Sequence, residues 1–280
     1  MRGLALSGGA AFGAYQVGVW RALSERGWRP EVATGISIGS VNAWLLARGV
    51  PHDELVRVWL DWPAELLPGR VRRFDLPWRT QLPMFCAWIE RIVEQYSNRP
   101  LVCGGSLTLL EATHGRMHRV PLAEAGAREL LAACALPGVM RPVRTEDGLY
   151  VDCGILRYIP LRETIDLGAD DVVVVDLLAA HPFPSARRIR TMVLGWRDKL
   201  TGRPMDPPHP EELGVDVTVI GHAKPLGNVL ESFRWTRAFA ERLIENGYRD
   251  ACASWDGRRH KTTPAPMHAM SPSPVSAAPQ

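Results

Sequence analysis

Residues Thr34 to Ala43 read TGISIGSVNA, and at their centre Gly35-Ile36-Ser37-Ile38-Gly39 sets a serine two residues from a glycine on either side. This is the pattern of a nucleophile elbow, in which a strand turns sharply into a helix and leaves the hydroxyl exposed at the apex. The flanking sequence suits that turn: Glu31 to Ile36 is an apolar run of strand length, and Ser40 to Arg48 reads as a helix closed by Gly49. A serine between glycines also occurs for its turn chemistry or as a helix N-cap. What surrounds Ser37 must decide between these.

Upstream there is room for one strand only, Arg2 to Ser7, which runs into Gly8-Gly9. An α/β-hydrolase places several strands before its serine, so that fold is disfavoured. A helix over Ala14 to Arg26, with Val17, Trp20, Ala22 and Leu23 on one side and Gly27 as its stop, completes a β-α-β-α order, the rhythm of a parallel sheet covered by helices. Ligands bind such sheets beyond the carboxyl ends of the strands, which brings the loop Ser7 to Gly13 (SGGAAFG) beside Ser37 if the first two strands are neighbours. A glycine-rich turn entering a helix offers unpaired N–H groups to an anion. Beside a nucleophilic serine, that anion is the oxyanion of acyl transfer. The loop does not match GxGxxG, and the second strand ends in Gly-Ile-Ser with no ribose-binding acid, so a dinucleotide site is not indicated.

Further strands are expected at Asp170 to Leu178 and Val215 to Gly221, and helices at 52–62, 84–97, 124–134, 160–168 and 228–252. The chain of 280 residues can bury a sizeable core. Residues 1–255 read as one domain and 256–280 as a Pro, Ser and Ala-rich tail that does not order. A net charge of +3 gives no basis for a nucleic-acid partner, and five cysteines without a CxxC pair suggest neither a disulfide framework nor a zinc site. Glycines interrupt the N-terminal apolar stretch and no run of about 18 apolar residues occurs. The chain therefore reads as cytoplasmic, with any membrane contact peripheral.

A serine needs a base within hydrogen-bond reach. No histidine sits in a motif; His181 and His222 follow expected strands, and His222 is the better of the two. Asp152, in GLYVDCGILRYIPL, follows the apolar run Leu149-Tyr150-Val151 and precedes the turn Cys153-Gly154, which suits a carboxylate of fixed orientation. Asp147, Asp170, Asp171 and Asp176 also lie near strand ends, and spacing alone leaves them open.

The ordered set GGAAFG, GISIG and DCG, with LSGG, GAYQVGV and ACALPGV around it, resembles the patatin-like phospholipase family over roughly residues 2 to 250. The resemblance implies a three-layer α/β/α fold with a mostly parallel sheet and no cofactor or metal. It implies a Ser37–Asp152 dyad, an oxyanion hole of Gly8, Gly9 and Ala10 N–H groups, and structural glycines at Gly13, Gly35, Gly39 and Gly154. The implied substrates are lipid acyl esters, phospholipids and lysolipids among them, cleaved through an acyl-serine.

Three positions depart from the family pattern. Ala10 replaces a third glycine, which costs little unless the backbone there has positive φ. Phe12 stands where the family has Arg or Lys. Cys153 replaces a glycine, which matters only in a left-handed conformation. The alternative to an active hydrolase is a lipid-binding or regulatory protein on the same fold. Trp59, Trp62, Trp78, Phe85 and Trp88 are interleaved with Arg70, Arg72, Arg73, Arg79 and Arg91, which suits either a lipid interface or, as favoured here, core rings beside solvated arginines.

Overall fold

The computed structural model describes residues 1–61, 83–180, 214–228, 230–233 and 235–261. In chain order its regular elements are β1 (Arg2–Leu6), α1 (Ala14–Glu25), β2 (Val32–Gly35), α2 (Ile38–Ala47), α3 (His52–Leu60), α4 (Pro83–Tyr96), β3 (Gly104–Glu111), β4 (Met117–Pro121), α5 (Ala127–Ala133), β5 (Val143–Arg144), β6 (Leu149–Asp152), α6 (Leu161–Asp166), β7 (Asp171–Asp176), β8 (Asp216–Gly221) and α7 (Arg237–Lys261). Short 3₁₀ turns occupy Ala10–Gly13, Cys153–Ile155 and Glu231–Phe233.

Five strands run parallel in the order β3-β2-β1-β7-β8, and β4, β5 and β6 join antiparallel at the β3 side. Strand alternation divides the core. Leu4 and Leu6 of β1 and Val173 and Val175 of β7 face a large core with α1 to α5 and α7. Ala5, Val172 and Val174 face a smaller one, against which Leu161 of α6 packs. The result is a three-layer α/β/α fold, as the sequence implied.

β2 and β6 share one edge of β3. Residues 106 and 107 of β3 pair with both β2 and β4, and residues 109 and 110 with both β4 and β6, so β4 occupies one edge while β2 and β6 meet end to end on the other. Gly35, at the end of β2, registers with Leu107, and Asp152, at the end of β6, with Leu109. Their partners are two positions apart on β3, with Thr108 between them, and alternation puts Gly35 and Asp152 on the same sheet face.

Most early boundaries match the sequence reading within two residues. The helix expected over 228–252 differs: a 3₁₀ turn covers Glu231–Phe233 and α7 runs from Arg237 to Lys261. Reciprocal bonds explain the break, with Asn228 Oδ1 accepting from Glu231 N at 3.0 Å and Glu231 Oε2 from Asn228 N at 2.8 Å. Thr236 Oγ1 then accepts from Phe239 N and opens α7. Val229, Trp62, Trp78, Arg70, Arg72, Arg73, Arg79, His181 and the tail beyond Lys261 lie outside the described residues. Trp59, Phe85 and Trp88 are buried, in keeping with the core reading, and gather on Trp235, whose ring stacks on Trp59 at 5.1 Å and 8°.

Candidate active site

The chain leaves β2 through Ser37, whose φ of 54° and ψ of −131° are rarely adopted by a residue with a side chain. The turn is as tight as the sequence requires. A Cβ on Gly35 would lie 2.3 Å from the Gly39 carbonyl oxygen, and one on Gly39 2.3 Å from that of Leu6. Both glycines are therefore needed to press the elbow against the end of β1.

Because β1 pairs with β2 in parallel, the loop after β1 lies beside the serine, and a Cβ on Gly8 would be 3.1 Å from Ser37 Cβ. Of the three residues expected to offer N–H groups, Gly8 is a correction: it is buried, and its N–H donates to Tyr158 O at 2.8 Å. Gly9 and Ala10 are partly exposed, and their N–H groups have no bond to a protein acceptor among the described residues. Ala10 has φ +50°, so the missing third glycine does cost, on the order of 1–2 kcal/mol of local strain. Cys153 has no positive φ, and its thiol donates to Thr108 O at 3.2 Å, so its replacement of glycine is harmless to the turn. Phe12 is buried against Phe239, edge to face at 6.0 Å.

Asp152, 2% exposed, ends β6 and accepts from Gly154 N at 2.7 Å. Gly154 is required there, since a Cβ would stand 2.9 Å from the carboxylate oxygen. Burial pushes the Asp152 carboxyl up from 3.8 to about 6, against the opposing pull of the nearby Ser37 hydroxyl and of the bond from Gly154 N–H. A carboxylate of this kind is ionised at neutral pH yet basic enough to take a proton.

Ser37 and Asp152 line a cavity of about 290 Å³ with Gly9, Ala10 and a largely apolar wall that includes Phe85, Val139, Met140 and Phe233. Phe12 forms part of that wall too. His222 does not reach it: its Nδ1 lies 2.7 Å from Asp250 Oδ2 and its ring meets Tyr15 edge-on. Asp170 pairs with the terminal amino group, and Asp176 accepts from Leu178 N. Neither they nor Asp147 and Asp171 line the cavity.

A feature that sequence reasoning missed is the end-to-end meeting of β2 and β6, which brings together Gly35 and Asp152, far apart in the chain. Its only sequence trace was the apolar run before Asp152.

The patatin-like phospholipase model matches residues 4–93, which contain β1, the glycine-rich loop and the elbow. Lysophospholipase NTE1 of Cryptococcus neoformans var. neoformans is 27% identical over 212 residues, covering 69% of this chain and 12% of that protein. The protein of the same name from Mycosarcoma maydis is 27% identical over 209 residues, again 69% of this chain and 10% of that one. The chain thus spans about a tenth of the length of these relatives. In fold it is similar to VipD from Legionella pneumophila, with a TM-score of 0.53 at 17% identity, over 91% of this chain and 67% of that structure. The sequence motifs and the family model thus coincide on the N-terminal part of the chain, where residues 4–93 are similar to the patatin-like phospholipase family.

Proposed function

We propose that the protein is a serine acyl hydrolase that cleaves lipid carboxylic esters, in the manner of a phospholipase A or a lysophospholipase. One observation carries the reading: a serine on a strained elbow and a buried carboxylate of raised basicity line the same largely apolar cavity.

Ser37 Oγ attacks the ester carbonyl while its proton passes to Asp152. The oxyanion is met by Gly9 and Ala10 N–H, where each lost donor costs about 10²–10³ in rate. Collapse breaks the bond to the leaving alcohol, which takes the proton from Asp152 and departs, leaving acyl-Ser37. Water then attacks the acyl group, Asp152 takes its proton, and collapse returns a proton to Ser37 as the carboxylic acid leaves. The acyl chain occupies the apolar cavity.

Among the described residues no helix is long and apolar enough to cross a membrane.

The test is product analysis on a phospholipid with two different acyl chains, alongside short-chain nitrophenyl esters. Wild type releases free acid and alcohol, and Ser37→Ala and Asp152→Asn each lose at least about 10³ in kcat. Full activity in Ser37→Ala rejects the mechanism. A folded wild type that binds lipid without turnover favours the lipid-binding alternative.

A further inference from the structure

Asn42 and Gln16 are buried polar side chains that no step above uses. Asn42 Nδ2 donates to Gly13 O at 3.0 Å and to Gln16 Oε1 at 2.8 Å. Gln16 Nε2 donates to Ser7 O at 2.9 Å. Trp59 Nε1, which can only donate, points at Asn42 Oδ1 at 3.0 Å and so fixes which way the amide faces. Every bond in the chain then has one direction, from Trp59 through Asn42 and Gln16 to Ser7.

The two backbone carbonyls held by this pair are those of Ser7 and Gly13, the residues that bracket Gly8 to Phe12. Asn42 itself lies on α2, the helix that begins at the residue after Ser37. One amide pair therefore ties both ends of the glycine-rich loop to the element that carries the serine. Between those ends, Ala10 keeps φ +50°, a conformation that persists only where the surroundings enforce it.

We propose that Asn42, acting through Gln16, is a positioning residue that fixes the Gly9 and Ala10 N–H groups relative to Ser37. The inference rests on the hydrolase reading above. Without the clamp the loop relaxes, Ala10 leaves its strained conformation and the oxyanion donors fall out of line.

Asn42→Asp keeps the shape but turns two donors into acceptors facing Gly13 O and Gln16 Oε1. Gln16→Met removes the bridge without adding charge, and serves if Asn42→Asp does not fold. Trp44→Phe is the control, because it deletes a buried bond from the same helix, Trp44 Nε1 to Ala125 O at 2.7 Å, away from the loop. On a soluble short-chain ester, we expect kcat to fall by about 10² or more in Asn42→Asp and about tenfold or more in Gln16→Met. KM stays within about threefold, and the rate of Ser37 phosphonylation falls in step with kcat. Trp44→Phe loses stability but keeps kcat.

A folded Asn42→Asp with near wild-type kcat overturns the proposal, as does a wild-type kcat in Gln16→Met. A kcat loss in Trp44→Phe equal to that of Asn42→Asp reduces the effect to stability and also overturns it. Wild type that is neither phosphonylated nor active overturns the hydrolase reading, and this inference with it. Labelled wild type with equally fast labelling of the variants overturns this inference alone.

Discussion

Asp152 shows at the scale of one residue how a site of this kind works against stability. Its carboxyl has a folded value of about 6 against 3.8 for the unfolded chain. As pH rises from 3.8 through 6, the unfolded state loses its proton first, so the native state loses stability across that window and stays lower above it. The penalty is at most ~3 kcal/mol. Asp152→Asn removes it while retaining an acceptor for Gly154 N. We predict that the stability of Asp152→Asn relative to wild type grows between pH 4 and pH 8, by up to ~3 kcal/mol, as turnover is lost. Denaturant unfolding at the two pH values measures this. Parallel pH dependence in the two proteins would show that the carboxylate is not held in a desolvating site. Single residues were also where the sequence was hardest to read. Asn42 and Gln16 look like any polar positions on a helix, because periodicity marks only the apolar face, and the buried clamp between two helices becomes visible only when their crossing is known.

At the scale of elements, α1 and α7 lie so close that each presents a glycine to the other's backbone. A Cβ on Gly18 would come within 1.8 Å of the Ile244 carbonyl oxygen, and one on Gly247 within 2.0 Å of that of Tyr15. This crossing places Phe239 of α7 against Phe12, and so supports the cavity wall from behind. We predict that Gly18→Val separates the helices, costs about 1–3 kcal/mol or more of stability, and lowers esterase activity through the displaced wall. Thermal melts and short-chain ester assays decide; a variant with unchanged melting and activity would mean that the two helices do not pack this closely. Which elements the sequence revealed follows from their burial. β1, β2 and β7 are buried throughout or nearly so and stand out as apolar runs. β4 buries only Val120, and β3 opens with Gly104-Gly105, which reads as a turn. Leu230, inside the helix expected over 228–252, is 83% exposed, because the Asn228–Glu231 bonds break the helix before its apolar pattern can be buried.

Over the whole molecule, the site exists because a parallel sheet and an antiparallel extension converge on β3. The parallel half delivers the elbow and the glycine-rich loop at adjacent strand ends. The antiparallel half returns β6 to the same edge, head-on to β2, and leaves Asp152 opposite Ser37. The three motifs were legible singly in the sequence because each needs glycines within a few residues of its reacting group. Their convergence was not, since it depends on which edge of β3 the later strand takes. The most direct measurement is the rate and site of fluorophosphonate labelling as a function of pH. We predict one adduct, on Ser37, whose rate of formation rises through about pH 6, is lost in Asp152→Asn and is unchanged in His222→Ala. Labelling that persists in Asp152→Asn and disappears in His222→Ala would contradict it.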